Sequence, residues 1–213
     1  MRKRDVALAI IAGIITGAIW AAVFLRLGTL DFLHIGAGVW GLVVLTPIGF
    51  VFGLYLGKWL SVRWHIFTSF ARFTIVGFMN AGIDFGVFNF LMFWTNIEEG
   101  VAVSTFKGIS FVAAVINSYY WNKYWVFEAS GTGSRAKEFL SFLIVTVIGL
   151  LVNVGVTSLV VFGIDPKFGF SQLSWNNIAA VFGAIFGLVW NFVGYRLIVF
   201  KKEAAVENTQ IEG

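Results

Sequence analysis

Asp84 is the residue best suited to chemistry in this sequence, because it is a single acid within a long apolar stretch. It lies eleven residues after Phe73, where that stretch begins. At about 1.5 Å per helical residue, this spacing places its carboxyl about 16 Å deep in a membrane helix. An acid at that depth costs on the order of 3 kcal/mol on insertion scales, so it usually faces the bundle interior and serves a function. The alternative is a protonated or paired acid that only joins helices.

Polar residues at helical spacing extend the candidate site around Asp84. Asn80 lies one turn away on the same helix face, and Asn117 and Asn153 fall within two other apolar stretches. Lys107 stands near the start of the same stretch as Asn117, where its ammonium could reach toward Asp84 or extend outward to the headgroups. Single intramembrane amides most often bond one helix to another. We predict that these five residues together form a polar substrate-binding seam.

A second group of basic and amide residues lies at the opposite ends of the same stretches. Arginine and lysine bind phosphate oxygens through charge-assisted hydrogen bonds. The alternative is that these cations only anchor the helices on the cytoplasmic side, as in most membrane proteins. We predict a phosphate-binding cytoplasmic mouth formed by Arg72, Asn122, Lys123, Asn191 and Arg196.

The remaining motifs do not point to catalysis. The chain has no cysteine, and its two histidines, His34 and His65, have no partner at metal-ligand spacing. The string Gly36-x-Gly38-x-x-Gly41 lacks the strand and the acidic residue that a dinucleotide site needs. We therefore expect no catalytic residue, no metal, no cofactor and no enzymatic activity.

The composition places these residues in a membrane protein. The 213 residues are 59% hydrophobic and 12% charged, whereas an average soluble domain is about 25% charged. This excludes an ordinary soluble domain, a disordered chain and a disulfide-stapled secreted domain. A net charge of +4 would suggest nucleic acid in a soluble protein. Here the basic residues flank apolar stretches, so we expect no nucleic-acid partner.

Six apolar stretches are long enough to span a bilayer, which takes about 20 residues. The sequence therefore predicts an all-α membrane protein with six transmembrane helices. Two glycine patterns, Gly13-x-x-x-Gly17 and Gly49-x-x-x-Gly53-x-x-x-Gly57, are typical of close helix packing. The predicted spans are Val6–Leu25, Ile35–Leu56, Phe73–Trp94, Ser104–Trp121, Phe139–Phe162 and Asn177–Val199.

The distribution of lysine and arginine predicts the orientation. Most of them precede the first span, separate spans two and three or four and five, or follow the sixth. The opposite side holds few, Arg26 among them, together with the acidic pair Glu98 and Glu99. Both termini are therefore predicted to lie in the cytoplasm, with the protein in the cell membrane. We expect the first span to be an uncleaved anchor, because no small-x-small cleavage site follows it.

Spans three and four resemble spans five and six, which indicates an internal repeat of one helix hairpin. Aligning the two hairpins from their first phenylalanine places Asp84 over Asn153. Aligning their endings, NKYWVF and YRLIVF, places Lys123 over Arg196. Both copies enter the membrane from the same side, so the repeat is parallel. Spans one and two lack the pattern and form an N-terminal addition.

These patterns predict four segments. Residues 1–60 form a two-helix hairpin, and residues 73–202 form a four-helix membrane domain. Residues 61–72 combine aromatic and basic side chains, which favours an amphipathic linker in the cytoplasmic interface, the alternative being a plain tight linker. Residues 203–213 form a polar tail.

The residues of spans three to six carry a resemblance to a known family. The pattern R-F-x-x-V-G-F-x-N-x-x-x-D, then N-S-Y-Y-W-N-K-Y-W-V-F, then a second round ending N-F-V-G-Y-R-L-I-V-F, resembles the GtrA-like membrane proteins. The resemblance runs from about Phe70 to Lys202. Its members are small four-helix proteins of cell-surface polysaccharide synthesis, so the two N-terminal spans depart from the family pattern.

The resemblance implies a membrane translocase for polyprenyl-phosphate-linked sugars, with that lipid and the surrounding membrane as partners. The alternative is a non-transporting partner that recruits or stabilises a polyprenyl-phosphate glycosyltransferase. A third possibility is a small proton-coupled exporter, which would need Asp84 to face water without Lys107 as a permanent partner. A homodimer is plausible, since few short spans enclose little volume.

Overall fold

The computed structural model describes residues 2–27, 36–129, 134–164 and 172–200. Across these ranges all six long helices are apolar enough to cross a membrane, which confirms the six-helix membrane fold. The predicted tail, residues 203–213, lies outside the described residues. The helices are α1 (Lys3–Leu27), α2 (Leu42–Leu60), α3 (Ile66–Thr95), α4 (Val101–Trp121), α5 (Arg135–Gly163) and α6 (Gln172–Gly194).

The outward faces of these helices carry large apolar side chains. Phe52, Trp59 and Phe162 are all more than two-thirds exposed. A soluble protein rarely leaves apolar side chains in contiguous exposed patches, whereas a bilayer provides the apolar surroundings that they require. The surface of the protein therefore fits lipid as its solvent.

Helix α3 is longer than the sequence suggested. It begins at Ile66 rather than at Phe73, so residues Ile66 to Arg72 of the predicted interfacial linker belong to this helix. The reason is local, since no glycine or proline between Ile66 and Val76 interrupts helix formation. Only residues 61–65 separate α2 from α3. An interfacial position for residues 61–72 stays a prediction.

The first four helices form one compact unit, Met1–Glu128, in which α1 packs against both α2 and α3. Glycines allow the close approach of α1 to α2. A Cβ atom on Gly13 would overlap Pro47, and one on Gly17 would overlap the carbonyl of Leu42. This confirms the packing role predicted for the first glycine pattern.

The second glycine pattern behaves differently along its length. A Cβ on Gly57 would overlap Ala71 of α3, so this glycine does serve close packing. A Cβ added to Gly49 or to Gly53 would meet no other atom within 4 Å, so the packing role predicted for these two glycines is wrong. They line an apolar groove of about 720 Å³ that runs along α1, α2 and α3.

Helices α5 and α6 form the second compact unit, Ala129–Gly213. They pack closely because α6 presents glycines to α5. A Cβ on Gly183 would overlap the Oγ1 of Thr157, and one on Gly194 would overlap Val145. At the end where α5 begins, the fully buried ring of Phe142 stacks on Tyr195 with their centroids 4.5 Å apart. The helices therefore run antiparallel, as expected for a hairpin.

The two hairpins of the repeat end in the same way. A π-helical turn follows α4 at Asn122–Val126, and another follows α6 at Tyr195–Val199. In each, the next phenylalanine donates its N–H to the carbonyl five residues earlier, at 2.9 Å for Phe127 and 2.7 Å for Phe200. The two turns occupy equivalent positions when the endings are aligned, which supports the internal repeat.

The compact units divide the chain differently from the predicted segments. The predicted boundary after residue 60 falls inside the first unit, because α1 and α2 pack against each other and against α3. The predicted four-helix domain, residues 73–202, contributes helices to both units. The bounds of the four predicted segments stay a prediction.

We expect Gly17→Ala to lower the stability of the protein by about 1–3 kcal/mol, because its Cβ would overlap the Leu42 carbonyl and push α1 from α2. Gly53→Ala is the matched control. It faces open space and should hold or raise stability through the higher helix propensity of alanine. Thermal unfolding in detergent measures both variants, and an equal Tm for the two would contradict close packing at Gly17.

Candidate functional site

A charged cluster joins α3 to α4 within the membrane-spanning region. Asp84 lies eleven residues, about 16 Å, before the end of α3. The Nζ of Lys107 donates a hydrogen bond to its Oδ2 at 2.5 Å, and the Oγ of Ser110 donates one to its Oδ1 at 2.6 Å. Of the two alternatives for Lys107, the structure shows the one in which its ammonium reaches Asp84.

Two aromatic rings on α3 complete the surroundings of Lys107. Its Nζ lies 5.5 Å from the ring centroid of Phe85 and 5.6 Å from that of Phe88. A cation over an aromatic face is attracted by the ring quadrupole, and more strongly where water is absent. The positive charge is therefore stabilised by a carboxylate and by two rings of the same helix.

An amide pair continues the polar contacts one turn further from Asp84. The Nδ2 of Asn117 on α4 donates to the Oδ1 of Asn80 on α3 at 2.6 Å. We call the five residues of α3 and α4 that meet in this way the polar ladder: Asn80, Asp84, Lys107, Ser110 and Asn117. Four of them were predicted, whereas Ser110 was not, because one serine in an apolar helix carries no distinct signal.

Asn153, the fifth predicted seam residue, lies in the other compact unit. Its Oδ1 accepts a hydrogen bond from Thr157 at 3.5 Å and lies 2.8 Å from the point where a Cβ on Gly183 would stand. Alignment of the repeats places Asn153 over Asp84 and Gly183 over Ser110. The same pair of helix positions is thus in contact in both hairpins, but only the first hairpin carries charge there.

Arg72, predicted to bind phosphate, is buried in an ion network of the chain itself. Its guanidinium donates to Asp5 at 2.9 Å and to Glu128 at 2.8 Å, and Arg2 also binds both acids. We call these four residues the ion network: Arg2, Asp5, Arg72 and Glu128. Its two cations face two anions, so Arg72 has its charge balanced by acids of the chain itself. Phosphate binding by Arg72 stays a prediction.

The ion network connects three distant parts of the first unit. Asp5 opens α1, Arg72 lies in α3, and Glu128 follows the π-helical turn after α4. The indole N–H of Trp125, within that turn, also donates to Asp5 at 3.2 Å. The sequence reasoning missed Asp5 and Glu128, although an acid directly after the run M-R-K-R at the start of a membrane helix is a usable signal.

The ion network also shifts the titration of its groups that lie outside the spans. The hydrogen bond from Arg2 holds the pKa of Glu128 below its usual range, and the positive charges of Arg2 and Arg72 act in the same direction. The same hydrogen bond raises the pKa of Arg2. Both shifts favour the charged forms of Arg2 and Glu128.

Two predicted mouth residues are buried near the end of α4. Lys123 is 4% exposed, and its Nζ lies 3.3 Å from the hydroxyl of Tyr119 and over the rings of Tyr119 and Tyr124. Asn122 is fully buried, and its Nδ2 donates to the carbonyl of Ser118 at 2.8 Å. Phosphate binding by these two residues stays a prediction, and it requires the aromatic surroundings of Lys123 to open.

The two remaining mouth residues belong to the second unit. Asn191 is half-buried and occupies the space where a Cβ on Gly149 would stand. Arg196 is exposed in the second π-helical turn, and no carboxylate of the described ranges pairs with it. Among the predicted cations of the mouth, Arg196 is therefore the one whose side chain is accessible.

Metal binding finds no support in the described part of the chain. No three histidine or acidic side chains come together there in an arrangement that could hold an ion. The carboxylates of Asp5, Asp84 and Glu128 each bind arginine or lysine instead.

Comparison with known protein families finds a match over the part of the chain that contains the polar ladder. The family model described as "GtrA/DPMS, transmembrane domain" matches residues 72–200. The chain belongs to this GtrA/DPMS family. The finding confirms the resemblance seen in the sequence, and α1 and α2 lie outside the matched range. The polar ladder, by contrast, lies wholly within the GtrA/DPMS domain.

A curated relative supports the membership. The chain is similar to the "Uncharacterized membrane protein YngA" of Bacillus subtilis (strain 168), with 32% identity over 146 residues. The alignment covers 68% of this chain and 88% of the relative. No solved structure matches the chain significantly.

Lys107 and Asp84 should be energetically coupled. We expect Lys107→Met and Asp84→Asn to lower stability singly, and the double variant to lose about 0.5–3 kcal/mol less than the sum, because neither charge is then left unpaired. Thr105→Val is the matched control, since the hydroxyl of Thr105 on α4 donates to the carbonyl of Val101 within the same helix. The measurement is the Tm of the two single variants, the double variant and the control. A double variant whose loss of stability equals the sum of the two single losses would contradict the coupling.

The ion network should make the protein sensitive to acid. Because the pKa of Glu128 is lower in the folded protein, its stabilising contribution is complete above its ordinary value of about 4.3 and disappears as pH falls through the lowered value. We expect Glu128→Gln to lose stability at neutral pH and to show a flatter fall in Tm below about pH 4. Glu99→Gln, at an exposed acid, serves as control. If the Tm of the wild-type protein, of Glu128→Gln and of Glu99→Gln fell in parallel as the pH is lowered, the expectation would be wrong.

Proposed function

We propose that this GtrA/DPMS-family protein moves polyprenyl-phosphate-linked sugars across the membrane. The observation that supports the proposal is the polar ladder, in which charged and amide side chains of α3 and α4 bond to each other at membrane depth. Intramembrane polar residues of this kind are rare and mark pathways for polar substrates. The proposal takes the substrate class from the family resemblance and the pathway from the ladder.

The physical task is to carry a sugar phosphate across about 30 Å of hydrocarbon. The polyprenyl chain can stay in lipid, whereas the sugar hydroxyls and the phosphate need hydrogen-bonding partners throughout. The ladder offers an acid, an ammonium, a hydroxyl and two amides along one helix pair. Asp84 lies about 16 Å from the end of α3, which is near the midplane.

The Asp84–Lys107 pair explains how such a site is stable without substrate. Each ion alone would be costly in this environment, but together they are neutral. An arriving phosphate replaces Asp84 as the partner of Lys107, and the released carboxylate takes up a proton, in which form it can still hydrogen-bond the sugar hydroxyls. The charge of the site thus stays balanced through the transfer, and we expect this chain to use no ATP.

Arg196 is the best-placed residue to capture the phosphate at the cytoplasmic end. It is exposed, and its guanidinium matches phosphate oxygens in a fork geometry. The predicted orientation, with both termini in the cytoplasm, would place it where a newly made lipid-linked sugar arrives. This orientation is part of the proposal.

A non-transporting partner of a polyprenyl-phosphate glycosyltransferase is the second candidate. The favouring observation is that Asp84 is already bonded by Lys107 and Ser110, as in a purely structural cluster. Its signature would be a partner enzyme whose activity survives Asp84→Asn. The exporter alternative required Asp84 without Lys107 beside it, and the ion pair argues against it.

Movement of a short-chain polyprenyl-phosphate hexose across proteoliposome membranes tests the proposal. We expect wild-type protein to move the lipid faster than empty liposomes do. Asp84→Asn should slow it about tenfold or more, which corresponds to about 1.4 kcal/mol of lost interaction. Thr105→Val, with its hydroxyl outside the ladder, should move the lipid like wild type. Folded wild-type protein that moves no lipid-linked sugar would overturn the proposal in favour of the partner function.

A further inference from the structure

A second cavity, of about 710 Å³, lies between α1 and α3 toward the ends of both helices. On α3 its lining runs from Ile83 to Phe93, a distance of about 15 Å. In its inner part Gly86 of α3 meets Ile19 of α1. At its outer end the guanidinium of Arg26 lies 5.3 Å from the ring centroid of Phe93. Its volume lies within the range of about 300–1,000 Å³ that is usual for ligand pockets.

Asn89 places a polar group on the otherwise apolar wall of this cavity. The residue is 5% exposed, and its Nδ2 donates to the carbonyl of Phe85 at 2.9 Å. That bond fixes the orientation of the amide, because a flip would set oxygen against oxygen. The Oδ1 of Asn89 finds no hydrogen-bond donor among the described residues. This oxygen has almost no accessible surface, so a ligand reaches it only when the surrounding side chains move apart. A buried acceptor without a donor is costly, and a ligand that brings a donor removes that cost.

Arg26 supplies positive charge at the outer end of the same cavity. Its present partner is Glu98, at 2.9 Å, whose side chain is 71% exposed. Exposed ion pairs of this kind contribute little to stability, so an anion can replace Glu98 at small cost. The bidentate geometry of the guanidinium matches phosphate in particular.

We propose that this cavity binds the polyprenyl-phosphate-linked sugar during its passage, with a sugar hydroxyl on Asn89, the phosphate on Arg26 and the chain along the apolar walls. The inference rests on the proposed function and adds a second binding site to it. The site uses α1, which lies outside the range matched by the family model.

The relative depth of the two polar groups identifies the ligand. Asn89 precedes Phe93 by four residues, so it lies about 6 Å deeper than the level of Arg26. An ordinary phospholipid in the leaflet directs the hydroxyls of its headgroup outward from its phosphate. A lipid whose sugar is still inside the bundle has the opposite order, with hydroxyls deeper than phosphate. The cavity therefore fits a lipid-linked sugar in transit.

Binding of three lipids to the purified full chain in nanodiscs tests the inference. The probes are a short-chain polyprenyl-phosphate hexose, the same polyprenyl phosphate without sugar, and phosphatidylglycerol. We expect Asn89→Leu to weaken binding of the hexose lipid about tenfold and to leave the bare phosphate lipid unaffected, because only the sugar reaches residue 89. Arg26→Gln should weaken both polyprenyl lipids, and Glu98→Gln, the matched control, should weaken neither.

Two results would overturn the inference. One is unchanged hexose-lipid binding in Asn89→Leu, and the other is phosphatidylglycerol competing as well as the hexose lipid, which would make this a bulk-lipid site. Should Asn89→Leu not fold, a photoactivatable hexose lipid on wild-type protein decides instead. Labels are expected within residues 19–26 and 83–93, and labels confined elsewhere contradict the site.

The binding and transport experiments together distinguish failure of this second site from failure of the proposed transport. If wild-type protein moves the hexose lipid but Asn89→Leu and Arg26→Gln bind it normally, the cavity is not on the path and the translocase remains. If the cavity binds the hexose lipid while wild-type protein moves none, the binding site remains and the translocase fails.

Discussion

The need to neutralise charge where water is absent governs the structure of the first compact unit. Its four helices contain few ionic groups, and two clusters pair opposite charges: Lys107 with Asp84 in one, and Arg72 with Asp5 and Glu128 in the other. Removing one partner of such a pair is far more costly than the pair itself is worth. The two clusters lie at different levels of α3 and connect it to α1 and α4. The arrangement of these three helices is thus set by charge pairing as much as by packing.

Close packing adds a second constraint that differs between helix pairs. Glycines bring α1 to α2 and α5 to α6 until backbone and side chain are in contact, since lipid supplies no hydrophobic force between helices. Helices α3 and α4 instead meet through hydrogen bonds between polar side chains. A ligand can replace one partner of such a hydrogen bond, whereas it cannot replace a glycine contact. The polar contact between α3 and α4 is therefore suited to binding a ligand, and the glycine contact between α5 and α6 is suited to holding two helices together.

Residue type and depth were enough to predict six helices, the internal repeat and most of the polar ladder. Whether Lys107 pairs or extends to the headgroups was open, because its flexible stem reaches both and only the position of α4 against α3 decides. Asp5 and Glu128 were missed because they are 123 residues apart and no local pattern links them. The start of α3 was misplaced because hydropathy marks where a helix enters lipid, not where its hydrogen bonds begin.

The π-helical turn after α4 has a consequence for how the chain tolerates changes in length. A π turn contains one residue more than the α-helix needs, and that residue rotates everything after it by about 100°. This rotation is what directs the indole of Trp125 toward Asp5 at the start of α1. Loss of a single residue here would leave a regular and locally more favourable helix, yet it would point tryptophan away from its acceptor. The register of the first hairpin thus depends on a local departure from the regular α-helix, and a turn of the same kind lies at Tyr195–Val199 in the second.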